Sequence, residues 1–193
     1  MRLVVASGNK GKLREIAEIL KDYDVVSMQA AGFAGDVEET GETFEENALI
    51  KARAVCRALD LPALADDSGL CVEALGGAPG VYSARFCGRH GDDKANNALL
   101  LEKLRGVPEQ RRGAYFESCV AVCFPDGREI TASGRTYGSI LEEEVGEGGF
   151  GYDPLFESAE LGKSFGLASA EEKNAVSHRG KALRALAQKL KEL

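Results

Sequence analysis

The adjacent carboxylates Asp66 and Asp67, set in ALADDSG, are the residues of this chain best placed to do chemistry. They follow the apolar stretch 61–65, so the sequence predicts a buried strand that runs out into a turn at Ser68 and Gly69. Two like charges beside a core are costly unless a cation or a proton compensates them. Oxygen ligands of this kind suit Mg²⁺, and Mg²⁺ suits phosphate chemistry. Taken alone, the pair fits a solvated acidic turn equally well.

Other segments carry compatible chemistry. Ser7, Gly8, Asn9, Lys10, Gly11 and Lys12 follow a β-branched run, where a strand should turn into a helix. Backbone N–H groups at a helix start, close-approach glycines and lysines make an anion site there. The spacing is not that of a P-loop, which needs a four-residue spacer and a closing Ser or Thr. An ordinary turn with a solvated lysine is the competing reading. A second cluster, Glu38 to Thr43, leads into a helix that displays Asn47 and Lys51 one turn apart, beside the apolar Phe44 and Ala48. Glu42, Glu45 and Glu46 read as complements to that helix's dipole. In the third stretch, GEGGFGYDP, Gly146, Gly148 and Gly151 match the dinucleotide fingerprint only formally, because Tyr152, Asp153 and Pro154 follow where a helix should begin. There the glycines fold the chain around Phe150, which with Asp153 would face a planar ligand. Finally, EEKNAVSHRG places Lys173, Ser177, His178 and Arg179 around the start of the last helix.

The elements needed to position these residues can be read from periodicity. Residues 2–6 and 25–28 read as strands, and Leu13, Ile16, Ala17 and Leu20 fall on one helical face. A capping box at Thr43 and Glu46 opens a helix to Leu59. Residues 92–104 read as helix, and 114–124 with 128–136 as antiparallel strands joined through Pro125, Asp126 and Gly127. The last helix, from Ser177, should bury Leu183, Leu186, Ala187, Leu190 and Leu193.

Composition narrows the class. With 193 residues, 44% hydrophobic and 28% charged, the chain suits one globular domain with a sizeable core. No apolar run is long enough for a membrane span, and the N-terminus lacks a signal peptide's pattern. A net charge of −7 without a basic tract argues against a nucleic-acid polymer as partner. Five cysteines without Cys-x-x-Cys spacing fit a reducing cytoplasm, with Cys119 and Cys123 as small core thiols.

Together, ASGNKGKLREI, EETGETFEENALIKA, ADDSGLCVEALGGAPGVYSAR, GGFGYDPLF and EEKNAVSHRGKAL resemble, in order, the signature segments of the non-standard purine nucleoside triphosphate pyrophosphatases. The resemblance implies an α/β fold, an elongated mixed sheet with two lobes flanking a central cleft, residues 1–193 forming a single two-lobed domain. It implies a homodimer and Mg²⁺-dependent hydrolysis of dITP, ITP and XTP to the monophosphate and pyrophosphate. By the same resemblance, Ser7 to Lys12 would bind the triphosphate, and Ser68 would also contact the nucleotide. Asp67 would be the general base, with Lys51 assisting and Asn47 facing substrate. Phe150, Gly151, Tyr152, Asp153, Lys173, His178 and Arg179 would grip base and sugar. Metal ligation would fall to Asp67 with Glu38 or Glu39. Donors such as Arg179 would favour a 6-oxo purine over adenine. A nucleotide sensor that binds without hydrolysis would use the same anion site, and Mg²⁺-dependent turnover separates the two.

Overall fold

The computed structural model describes residues 1–192. Leu193, expected on the buried face of the last helix, lies outside the described residues. The order is β1 (Arg2–Val5), α1 (Lys10–Ile19), β2 (Asp24–Ser27), α2 (Phe44–Leu59), β3 (Ala63–Val72), α3 (Asp93–Lys103), β4 (Gly113–Cys123), β5 (Glu129–Ile140), β6 (Phe156–Ser158), β7 (Lys163–Ser164), α4 (Ala170–Val176) and α5 (His178–Lys191). The strands are hydrogen-bonded in the order β2-β1-β3-β4-β5-β6-β7. β1 runs parallel to β2 and β3, whereas β6 is antiparallel to β5 and β7, so the sheet is mixed, as expected. The chain divides into two compact units, Met1–Asp67 with Ser118–Gly134 and the chain from Arg179, and Ser68–Glu117 with Arg135–His178.

In the first unit the two-residue strand period sorts the apolar side chains onto two faces. Leu3, Val5, Leu64, Val120 and Val122 pack against Ile16 and Leu20 of α1 and Leu183, Leu186 and Leu190 of α5. Val4, Ala6, Ala63, Ala65, Ala121 and Cys123 pack against Ala48, Ala52 and Val55 of α2. Thr43 caps α2 through the expected capping box with Glu46, and Asn9 caps α1 by accepting from the Lys12 N–H.

The structure corrects the sequence at several points. β3 does not stop before the acids: it runs for ten residues, with Asp66 and Asp67 at its middle and Ser68 and Gly69 still in the strand. On α1, Ala17 is exposed and Glu15 is buried in its place. The last helix begins at His178, as expected within a residue, but a short helix not read from the sequence, α4, precedes it and ends at Ser177, whose φ −66° and ψ 154° are not helical. β5 is also longer than expected, reaching Ile140.

The second unit has its own core of Leu70, Val72, Leu100, Leu104, Phe116, Ile140, Leu155, Phe156 and Phe165. One cation is sealed at its margin. Arg112, 4% exposed, donates to the carbonyls of Ile140 (2.7 Å), Leu141 (2.8 Å), Leu104 (3.0 Å) and Val107 (3.4 Å). It thereby ties the end of α3 to the end of β5, satisfying acceptors that would otherwise be buried without donors. Replacing Arg112 with Met should keep the stem packing and strand those carbonyls, lowering stability by about 2–4 kcal/mol in urea unfolding. A change below about 0.5 kcal/mol would show the carbonyls find other donors.

Candidate active site

Because successive side chains of a strand point to opposite faces, β3 sends its two acids in different directions. Asp66 shares a face with Leu64 and looks toward the α1 and α5 layer. Its carboxylate, 1% exposed, receives Lys12 Nζ at 2.8 Å and Arg179 Nη2 at 3.2 Å on Oδ2, and the Ser118 hydroxyl of β4 on Oδ1. Arg179 Nη1 is paired with Glu15. Burial alone would raise the Asp66 carboxyl, but Arg179, then Lys12 and Ser118, hold it well below the usual carboxylate range. Lys12 reaches this position because the turn before α1 is locked: the Asn9 N–H donates to Ser7 Oγ (3.1 Å) and the Lys12 N–H to Asn9 Oδ1 (3.1 Å).

Asp67 shares a face with Ala63 and Ala65 and looks toward α2. Lys51, buried on that helix, places its Nζ 2.6 Å from Glu39 Oε1, 3.4 Å from Asp67 Oδ1 and 3.0 Å from the Asp66 carbonyl oxygen. Asp67 Oδ2 is buried with no hydrogen-bond partner among the described residues. Burial is the largest influence on this carboxyl and raises it, against the pull of Lys51 and Lys12 and with the push of Glu39 and Asp66. For Lys51 burial works against the charged form, yet Asp67 and Glu39 outweigh it and the ammonium is held charged. Glu39 is therefore the glutamate that the fold brings to Asp67, while Glu38 is exposed. Asn47, expected to face substrate, is fully buried and accepts the Gly41 N–H on Oδ1 at 2.8 Å.

These residues suit a hard divalent cation. Asp67 and Glu39 supply oxygen only, and one Asp67 oxygen has no hydrogen-bond partner among the described residues. Among the described residues no group of three or more His, Cys, Asp or Glu could hold a metal unaided.

The second unit assembles a different cluster. Lys173 Nζ lies 2.7 Å from Asp153 Oδ2 and 4.5 Å from the centroid of the Phe150 ring. Asp153 Oδ2 also accepts the Phe150 N–H at 2.9 Å, and a Cβ at Gly149, whose φ is +72°, would collide with that carboxylate. Asp153 thus shapes the turn that presents Phe150, where the sequence had it facing a ligand. His178 stacks on Phe116 with centroids 4.8 Å apart and planes 13° from parallel. Tyr152 is buried and spends its hydroxyl on the Ser83 carbonyl at 2.7 Å. Gly151 is held by its N–H to Asp93 and its carbonyl to Asn97. Ser68 is half-buried on β3.

Arg179, expected at the base, has Nη1 on Glu15 and Nη2 on Asp66 in the first unit. Glu15 and Ser118, which complete that network, escaped the sequence reading. Ser118 shares the parity of Val120 and Val122 on an apolar strand, which is a readable hint of a buried hydroxyl with a partner. Glu15 beside Ile16 on the inward face carried a weaker one.

The chain matches the Ham1 family over residues 3–189. A dITP/XTP pyrophosphatase of Streptomyces avermitilis is 50% identical, covering 100% of this chain and 98% of the relative. One from Geobacter sulfurreducens is 53% identical over 94% of this chain and 92% of its own. The structure of a HAM1 protein from Coxiella burnetii superposes with a TM-score of 0.90 at 38% identity, covering 100% of both chains.

The two acids should respond oppositely to removal of charge. Asp66→Asn leaves Arg179 and Lys12 without their counter-ion and should cost about 3–5 kcal/mol, whereas Asp67→Asn should cost less than about 1 kcal/mol. The Asp66 carboxyl titrates below its ordinary 3.8 in the folded chain, so its contribution is complete above that pH and lost as pH falls through the lowered folded value. Urea unfolding of wild type and Asp66→Asn should differ by a constant amount near neutrality, the gap narrowing only in acid below 3.8. Equal costs for the two variants would contradict this assignment.

Proposed function

The chain belongs to the Ham1 family, and from that premise we propose how its residues hydrolyse the non-standard purine nucleoside triphosphates dITP, ITP and XTP to the monophosphate and pyrophosphate. The observation that carries the proposal is the asymmetry of the acids: Asp66 is compensated by Lys12 and Arg179, while Asp67 keeps a buried oxygen with no hydrogen-bond partner among the described residues, beside the Lys51 and Glu39 ion pair.

The triphosphate lies at the Ser7 to Lys12 turn, where the backbone N–H groups of Gly8, Lys10 and Gly11 and the ammoniums of Lys10 and Lys12 offer donors and positive charge. Asp67 and Glu39 would hold Mg²⁺, which would supply Lewis-acid polarisation and charge neutralisation at the phosphates. Asp67 accepts a proton from the water that attacks the α-phosphorus, and burial favours this role by raising its proton affinity. The bond from that phosphorus to the bridging oxygen breaks, and pyrophosphate departs intact. Lys51 and Lys12 meet the charge that grows on the departing group. A covalent enzyme intermediate has no place in this scheme.

The base and sugar go to the second unit's cluster: the Phe150 ring with Lys173 above it, His178, and the backbone around Gly151. The Tyr152 hydroxyl and the Asp153 carboxylate build that cluster rather than touch the base, and Arg179 serves as the counter-ion of Asp66. A 6-oxo purine satisfies donors that adenine's amino group would leave facing another donor, each such mismatch costing about 1–3 kcal/mol. The family resemblance supports a homodimer, and the five free cysteines support a reducing cytoplasm. No helix among the described residues is long and apolar enough to cross a membrane.

Two measurements test the scheme. One pyrophosphate and no free phosphate should form per dITP, ITP or XTP consumed, with ATP turned over far more slowly and chelation of Mg²⁺ abolishing release. Asp67→Asn should lower kcat by about 10²–10⁴-fold while nucleotide binding persists. Near-normal kcat in that variant would remove Asp67 as the base.

A further inference from the structure

Glu39 has no regular secondary structure to hold it: residues 36–41 belong to neither helix nor strand. Its place beside Asp67 depends on contacts from α2, and two of them come from one helical face. Lys51 holds the Glu39 carboxylate at 2.6 Å, and one turn earlier Asn47 holds the backbone two residues further on, its Oδ1 accepting the Gly41 N–H at 2.8 Å. Immediately after, the N–H groups of Glu42 and Thr43 donate to Glu46 Oε2, so the chain is fixed from Gly41 into the helix.

We propose that Asn47 is a positioning residue, anchoring Gly41 so that the preceding segment delivers Glu39 to Lys51 and Asp67. The local packing agrees with that role. A Cβ on Gly41 would lie 2.7 Å from Asn47 Oδ1, 2.7 Å from Glu46 Cβ and 3.0 Å from the Asn47 nitrogen, so the backbone approaches more closely than any side chain would permit. Asn47 is 0% exposed, yet its Nδ2 has no hydrogen-bond partner among the described residues. A buried amide with an unsatisfied donor costs stability, and such costs are tolerated where a side chain serves the site rather than the core. Ordering a loop segment removes conformational freedom, and the anchor at Gly41 offsets part of that cost before Glu39 meets a ligand.

The proposal rests on the reading that Glu39 and Asp67 hold the divalent cation, and the test separates the two. Mn²⁺ binding to the full chain, with a non-hydrolysable triphosphate analogue present, can be followed by electron paramagnetic resonance for Asn47→Ala, Gly41→Ala, Glu39→Gln and the Asn47→Ala/Glu39→Gln double variant. Circular dichroism confirms that each is folded. Asn47→Ala and Gly41→Ala should each weaken Mn²⁺ by about tenfold, as loss of an outer-shell support does. The nucleotide KM at saturating Mg²⁺ should change little, and in the Glu39→Gln background Asn47→Ala should add nothing. If Glu39→Gln weakens Mn²⁺ but Asn47→Ala does not, or if the two losses add in full, the proposal is overturned while the metal reading stands. A raised KM with unchanged Mn²⁺ affinity would also overturn it, making Asn47 a substrate contact. If Glu39→Gln leaves Mn²⁺ binding unaltered, the metal reading fails and the proposal with it.

Discussion

A carboxylate buried in the middle of a strand is the constraint around which the first unit is built. Asp66 can stay charged there only because Arg179, Lys12 and the Ser118 hydroxyl surround it, and each comes from a different part of the chain. The turn before α1, the start of α5 and the middle of β4 are thereby drawn to β3. Removing a partner would leave a buried ion uncompensated, which costs more than the intact group of charges contributes. The arrangement therefore defines where these elements meet more than it adds to stability.

Its chemical consequence is felt at the neighbouring residue. With Lys12 and Arg179 bonded to Asp66, Asp67 faces the other side of the sheet with Lys51 at 3.4 Å, and burial, helped by Glu39 and Asp66, raises its proton affinity against the pull of Lys51 and Lys12. The strand pleat sends two consecutive acids to different faces, and the partners they meet there give them different properties. Separation of proton affinities within a pair of carboxyls is how a site assigns one group to structure and the other to proton transfer. Lys51 and Asn47 then bring Glu39 to the same place from a segment with no hydrogen-bonding ladder of its own.

Much of this was legible in the chain. The turn at Ser7 to Lys12, the cap at Thr43, the helical register that puts Asn47 and Lys51 on one face, and the two aspartates all follow from local spacing. The strand through Asp66 and Asp67 did not, because local reading treats adjacent charges as the end of a buried element. What keeps the strand going is compensation from Arg179, 113 positions away, and Ser118, 52 away. The burial of Glu15 in place of Ala17 has the same origin, since its partner Arg179 is 164 residues distant. The last helix was legible from Ser177, but α4 before it was not, because its seven residues are too few to display a helical apolar period. In the second unit, the bonds of Asp153 to Lys173 and to the Phe150 N–H, and of the Tyr152 hydroxyl to the Ser83 carbonyl 69 positions away, were not legible from local spacing.

Proton affinity is what divides the pair: Asp66 keeps its charge well into acid, whereas Asp67 gives its charge up sooner. Carbon-detected NMR of aspartate carboxyls, assigned by single substitutions and followed from neutral into acid, reads this directly. The Asp66 carboxyl should show no protonation until well below 3.8, while Asp67 should take up its proton above that value. Two carboxyls titrating together near 3.8 would mean that the strand confers no difference on them, and the division of roles would be wrong.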